Sequence, residues 1–352
     1  MRLRTVTNVV LPAFAIASGV LAYHYHSSNM AALAAARAAN AGAKFTGRHA
    51  LVVGGTSGIG HGVALRLAKA DFAVTIVGRN AAAGATILEQ LRAAGGGPHE
   101  FMACDASLLS NVRRTAAEYA AAHPTLDVLV LTQGVGTLQG RTETAEGLDV
   151  KLALHYYGRM AFIDSLLPSL RRAPSGRVLS VLSAGVHPPY AEYATDPELK
   201  THYSLANAAN AACFYNDVSM DALSRDPANA AITFVHAAPG MVDTNWGSDM
   251  PWAVRQLLRV VKLFAMSLED CGEFMSVPLL ARRDAGGFML MTSTATPAAP
   301  TSLHDVARDT VWASTRDVLA RVPALPVPAA GGAAGGAGAV PAAAAAAAAE
   351  LK

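Results

Sequence analysis

Residues His49 to Gly60 read His-Ala-Leu-Val-Val-Gly-Gly-Thr-Ser-Gly-Ile-Gly: a short apolar run that ends in glycines at 54, 58 and 60 and then enters a helical pattern. Few folds end a buried strand this way. Glycine allows the backbone angles and the close approach that a pyrophosphate demands, and the N-terminus of the following helix offers unpaired N–H groups to an anion. Gly54, Thr56, Ser57, Gly58, Ile59 and Gly60 therefore form a candidate phosphate cradle, with a dinucleotide as the expected ligand. The spacing G-x-x-x-G-x-G differs from the commoner G-x-G-x-x-G fingerprint.

From His49 onward short apolar runs alternate with helical segments, the pattern of βαβ units and a parallel sheet. Strands are expected at Ala50 to Val53, Ala73 to Val77, Phe101 to Ala103, Leu126 to Leu131, Arg177 to Leu182, Ile232 to His236 and Gly287 to Met291. Their nearly unbroken apolar character predicts strands covered on both faces. Helices are expected over Gly60 to Ala70, Ala81 to Ala94, Leu108 to Ala122, Gly147 to Leu170 and Ser204 to Arg225, with others after Pro251 and Thr301. The fold class is α/β: one doubly wound parallel sheet, a Rossmann fold, in a single domain over residues 45–322.

Composition narrows the function classes. With 52% hydrophobic and 15% charged residues the chain can bury a full core. A formal charge of +2, with no basic run interleaved with aromatics, argues against nucleic acid. Cys104, Cys213 and Cys271 are far apart, and the histidines lack ligand spacing, so neither a disulfide framework nor a metal is expected.

The second strand ends in Val77-Gly78-Arg79-Asn80, about 20 residues past the cradle, where an NAD enzyme places a carboxylate against the ribose hydroxyl. Arg79 stands there instead, beside Asn80. A guanidinium can pair with a 2′-phosphate through its planar fork, so NADP(H) is favoured over NAD(H). The other reading is a solvated arginine at a strand end.

Further landmarks follow in order: Cys104-Asp105-Ala106, Gly134 closing Leu131-Thr-Gln-Gly, Ser183 after the fifth strand, and Pro239-Gly240-Met-Val242-Asp-Thr244. In this order they resemble the short-chain dehydrogenase/reductase family. The resemblance implies that Asp105 and Ala106 meet the adenine, although Asp105 could equally cap the next helix. Gly134 lies where backbone passes close to the cofactor. It implies that Ser183 binds the substrate oxygen, and that Pro239, Gly240, Val242 and Thr244 hold the nicotinamide carboxamide. Leu131-Thr132-Gln133 replaces the family's Asn-Asn-Ala, which puts its bracing of the central strand in question.

The family's Tyr-x-x-x-Lys becomes Tyr203-Ser-Leu-Ala-Asn207 here. Without the lysine charge the phenol is expected nearer its ordinary pKa of about 10, a poorer proton relay at neutral pH. Tyr190 and Tyr193 do not repair the motif. In Leu154-His155-Tyr-Tyr-Gly158, His155 replaces the family's asparagine, and one expectation is that it takes over part of the lysine's electrostatic or relay role. The catalytic candidates are Ser183, Tyr203, Asn207 and His155. The implied reaction is hydride transfer between NADP(H) and a small carbonyl or alcohol substrate, and an anchored N-terminus would suit an apolar one. The alternative is a catalytically degenerate NADP(H)-binding protein acting as sensor or interaction partner.

Arg2 and Arg4 precede an apolar stretch over residues 6–25, and the first acidic residue is Asp71. A signal anchor, a cleaved signal, a transit segment or a helix packed on the domain would each fit, and the anchor is favoured. Residues 1–44 would then be anchor plus linker, with attachment to a membrane of the endoplasmic reticulum or mitochondrion. Residues 323–352 form a Pro/Ala/Gly tail expected to be disordered. The alanine-rich helix after Ser204 offers a homodimer surface, though alanine is also simply a good helix former.

Overall fold

The apolar strands alternate their side chains between two separate cores. Leu51 and Val53 of β1 (His49–Val53) join one cluster, and Ala50 and Val52 join the other. Successive residues of a strand face opposite sides, so each strand supplies both layers. The computed structural model describes residues 29–244, 265–281 and 286–322, with Trp252, Arg255, Gln256 and Lys262 between them.

β1 is followed by β2 (Ala73–Gly78), β3 (Glu100–Ala103), β4 (Val128–Leu131), β5 (Arg177–Val181), β6 (Thr233–Ala237), β7 (Gly287–Met291) and the two-residue β8 (Pro297–Ala298). They lie in the order β3-β2-β1-β4-β5-β6-β7-β8, all parallel except β8, which pairs antiparallel with β7. β8 has no apolar run to announce it, and its proline sits where an edge strand tolerates a missing N–H. The other strands lie within two residues of the expected bounds.

On one face pack α1 (residues 29–40), α2 (Gly58–Lys69), α3 (Ala81–Ala94) and α7 (Leu268–Leu280). On the other lie α4 (Leu109–Ala122), α6 (Leu205–Ser224), α8 (His304–Arg321) and α5. The α5 rod has three parts: Val150–Leu152, a π-helical turn over Ala153–Tyr157, and Gly158–Arg172. A π turn inside an α-helix commonly marks a functional site, and this one contains His155.

One expectation changes. The linker expected at the end of residues 1–44 is largely a packed helix: α1 buries Leu33 and Ala36, and Asn40 donates to the Glu273 carboxylate at 2.7 Å. The folded body thus begins ahead of Phe45. The alanines of α6 also serve the chain itself. Ala208, Ala211 and Ala212 are buried and α8 packs along α6, pinned by His304 and Arg308 on Asp221. The apolar stretch 6–25 and the tail 323–352 lie outside the described residues, and among those described no helix is long and apolar enough to cross a membrane.

Strand order reverses between β1 and β4. At such a switch point the crevice beyond the carboxyl ends of the strands is where open α/β sheets bind their ligands.

Candidate active site

The cradle occupies that crevice. Gly54 (φ +83°) and Gly58 (φ +57°) adopt left-handed angles, and Ser57 stands at the N-cap of α2 with extended backbone and no capping hydrogen bond from its side chain. No acidic residue lies in the first turn of α2, so its N–H groups face outward without a built-in anion. The turn is closely packed. A Cβ on Gly60 would come 2.4 Å from both Gly54 O and Thr132 Oγ1, and one on Gly78 would lie 2.6 Å from Thr56 Oγ1. Thr132 also answers the question of the missing asparagine: its hydroxyl donates to Val53 O at 2.9 Å and ties β4 to β1.

Arg79 is exposed directly after Gly78, and among the described residues no carboxylate pairs with it. Asn80 caps α3, accepting from Ala83 N at 3.0 Å. Asp105 accepts from Ser107 N and Oγ, beside the buried Ala106. It does not cap α4. Glu146, from the loop after β4, accepts the N–H groups of Leu109 and Ser110 at 2.6 and 3.0 Å, so this acidic cap comes from 37 residues away. Gly240 (φ +70°) turns the Pro239 segment, and Thr244 beyond it reaches the cradle: its Cγ2 lies 3.5 Å from where a Cβ on Gly58 would stand. Val242 bridges to Met266. The structure thus joins two segments expected to hold the cofactor, 186 residues apart at Gly58 and Thr244.

Ser183 stands two residues beyond β5, half-buried, and its hydroxyl shares a hydrogen bond with the Cys213 thiol of α6. Burial, then the charge of Asp217, pushes that thiol up to about 12, leaving it a packing group and not a nucleophile. Tyr203 precedes α6 at its N-terminus, where Ser204 is the N-cap and accepts from Asn207 N at 3.0 Å. The approach to Tyr203 is fixed by Asp196, whose carboxylate accepts from the N–H groups of Lys200, Thr201 and His202. Burial alone would raise that carboxyl, but these backbone donors outweigh it and lower it. The Asn207 amide donates to His202 O at 2.7 Å.

His155 is neutral in its surroundings. Its Nε2 accepts from Val135 N at 2.9 Å, and burial, reinforced by Arg159 and Lys151, pushes it down to about 3. A ring that stays uncharged at physiological pH braces the loop beyond Gly134 and does not stand in for a cation. A Cβ on Gly134 would lie 3.1 Å from that ring nitrogen, so glycine permits the contact.

Two residues were not legible in the sequence. Arg159, fully buried in α5, donates to Ser180 Oγ, Val181 O and Gln133 O, linking the carboxyl ends of β4 and β5. Lys151, in the first turn of α5, reaches the Tyr203 hydroxyl at 2.9 Å. Both depend on contacts made across 21 to 52 residues, and neither carries a local motif.

The packed, uncapped cradle, the neighbouring Arg79 and the Pro239 loop against Gly58 fit a nicotinamide dinucleotide. Comparison with known proteins agrees. The model of the short chain dehydrogenase family matches residues 48–251. Oxidoreductase AN1596 of Emericella nidulans is 35% identical over 254 residues, covering 69% of this chain and 75% of the relative. The short-chain dehydrogenase/reductase SAT2 of Stachybotrys chartarum is 31% identical over 72% of this chain and 79% of its own length. An alcohol dehydrogenase from Thermococcus sibiricus, solved with 5-hydroxy-NADP, superposes with a TM-score of 0.52 at 18% identity, covering 72% of this chain and 99% of that one, a likeness of fold. With the cradle, the serine strand and the tyrosine helix in the family's order, this chain belongs to the short-chain dehydrogenases/reductases and is an oxidoreductase.

Proposed function

We propose that the protein uses NADP(H) to interconvert an apolar carbonyl compound and its alcohol. The observation that carries the cofactor preference is Arg79, exposed beside the cradle where a carboxylate would favour the unphosphorylated ribose. When bound, the dinucleotide supplies or accepts the hydride. Ser183 donates a hydrogen bond to the substrate oxygen as charge develops on it, and Tyr203 gives or takes the proton. Asp105 and Ala106 would hold the adenine end, and Pro239, Gly240, Val242 and Thr244 the nicotinamide end.

Support for an apolar substrate comes from the rim. Of the eight exposed large hydrophobic side chains among the described residues, five (Leu138, Val186, Leu205, Met241 and Trp252) lie in segments that follow β4, β5 and β6, on the carboxyl side of the sheet. Single exposed apolar residues are ordinary, whereas a concentration of them at a ligand crevice marks a binding surface. The degenerate-binder alternative rested on Asn207, and the relatives described above are named as enzymes.

The test is titration of the full chain with NADPH and NADH, followed by nucleotide fluorescence, and then a panel of apolar ketones and aldehydes. Preferential NADPH binding with NADPH oxidation on the panel is expected. Equal binding of both nucleotides would remove the role given to Arg79, and tight NADPH binding with no turnover would return the degenerate reading.

A further inference from the structure

The position four residues after Tyr203 is asparagine, and its amide is occupied by His202 O. Tyr203 nevertheless has a cation on its hydroxyl. Lys151 Nζ arrives from α5 and lies 2.9 Å from the phenol oxygen and 5.6 Å from the ring centroid. The two distances place the ammonium beyond the hydroxyl, roughly in line with the C–O bond, and not over the ring face. The charge therefore addresses the oxygen.

Lys151 is built into this place. It is only 8% exposed, and its remaining two N–H groups go to Gln139 O at 2.6 Å and Gly140 O at 3.2 Å. An ammonium has three donors, and these partners use all of them. Asp149, the N-cap two residues before Lys151, sets the stage: one carboxylate oxygen accepts from Lys151 N and Leu152 N, and the other from Thr142 N, fixing the loop that supplies the two carbonyls. A lysine held by carbonyls and a phenol, with its stem buried, is not a solvated surface charge. Desolvating an ammonium is costly, and such a lysine needs its partners to hold it.

We propose that Lys151 supplies, from a different helix, the positive charge that the family's motif places at the position of Asn207, so that the site is equipped for turnover. The inference rests on Tyr203 being the proton donor and acceptor, as read above. In the reducing direction the Tyr203 O–H bond breaks as its proton passes to the carbonyl oxygen, and the carbonyl carbon gains the hydride that a bound NADPH would supply. The alcohol leaves, and the phenolate remains facing the Lys151 ammonium until it is reprotonated. The charged and titratable groups around the pair are Asp149 at the N-cap of α5, His155 and Arg159 on α5, and Asp196 and His202 on the approach to Tyr203.

The test uses the full chain and four variants, Tyr203→Phe, Lys151→Met, Lys151→Arg and Lys151→Met/Asn207→Lys, each checked for native melting and NADPH affinity. Lys151→Met is expected to keep NADPH binding within about twofold while kcat at pH 7 falls by on the order of 100-fold. The rising limb of its pH-rate profile should move to higher pH. Lys151→Arg should retain more activity than Lys151→Met, and the double variant should recover at least about tenfold, because the charge is restored from the motif position. A second readout needs no substrate: the phenolate absorbance that Tyr203→Phe removes should appear at higher pH in Lys151→Met. If Lys151→Met disturbs folding, Lys151→Arg with that titration decides. Wild-type kcat and an unmoved pH profile or phenolate signal in a folded Lys151 variant, with Tyr203→Phe inactive, would overturn the role of Lys151 alone. Full activity in Tyr203→Phe would instead overturn the reading on which it rests.

Discussion

Arg159 donates from one guanidinium nitrogen to Ser180 Oγ at 2.7 Å, and Ser180 in turn donates to Asn216 Oδ1 at 2.9 Å. Asn216 continues the chain to His155 O and Ala212 O, so one buried hydrogen-bonded line joins β5, α5 and α6 beneath the crevice. Arg159→Met would leave the Ser180 hydroxyl and the carbonyls of Val181 and Gln133 short of a donor. Each buried group left unpaired costs about 1–3 kcal/mol, so a loss of about 3 kcal/mol or more is expected in urea unfolding. A loss below about 1 kcal/mol would mean that the network is dispensable.

Gly60→Ala should abolish tight cofactor binding with little change in overall secondary structure. The added methyl meets Gly54 O and Thr132 Oγ1 at 2.4 Å, and the first of these is backbone that cannot swing away. NADPH affinity is expected to fall at least about tenfold, or about 1.4 kcal/mol. Calorimetric titration of the variant would check it, and an unchanged affinity would count against the cradle.

Arg79→Asp should exchange cofactor preference. A charge-assisted bond to a phosphate is worth about 1.5–3 kcal/mol, so NADPH should weaken by about 10- to 100-fold. NADH should hold or improve. A constant ratio of the two dissociation constants would show that the arginine is an ordinary solvated side chain.

His155 makes the fold acid-sensitive. Its folded value of about 3 lies below the ordinary 6.5, so between those two the unfolded chain binds a proton that the folded chain does not. Stability present at neutral pH is therefore lost as pH falls from about 6.5 towards 3, with each unit worth about 1.4 kcal/mol. His155→Asn should flatten the stability curve across that window. Denaturant unfolding at pH 4.5 and 7.5 measures the difference, and equal slopes in both proteins would rule out His155 as its source.

Gln133 buries both side-chain amide atoms without a hydrogen-bond partner among the described residues. Exchange for an apolar residue of similar length removes that desolvation cost. Gln133→Met should stabilise the protein by about 1 kcal/mol in thermal unfolding without cofactor. A destabilised variant would show that the amide is satisfied in solution.

How much of this was legible in the chain depends on the range of the cause. The apolar strands, the helix bounds and the cradle glycines follow from local rules, because a strand covered on two faces is apolar throughout and a turn with positive φ favours glycine. Those rules placed α3 at its observed bounds and six of the eight strands within two residues, and β7 at both its ends. Asp105 shows where they stop: its Asx turn with Ser107 has the look of a helix cap, yet Glu146 won the helix end from a distant loop, since a carboxylate can reach exposed N–H groups from anywhere the fold brings it. The alanines of α6 show the same divide: Ala208, Ala211 and Ala212 pack inside the chain, while Ala206 is exposed and Ala209 half-buried, a split that composition does not reveal.

Sequence by itself determined the doubly wound sheet and the glycine turn that leads from β1 into α2, because each is written in neighbouring residues whose backbone geometry is set locally. Tertiary structure alone decided the electrostatics of the tyrosine. The motif position holds an uncharged asparagine, and a lysine 52 residues before Tyr203 occupies the same hydroxyl from another helix. A charge acts through space and not along the chain, so its source becomes visible only once α5 and the start of α6 are brought side by side.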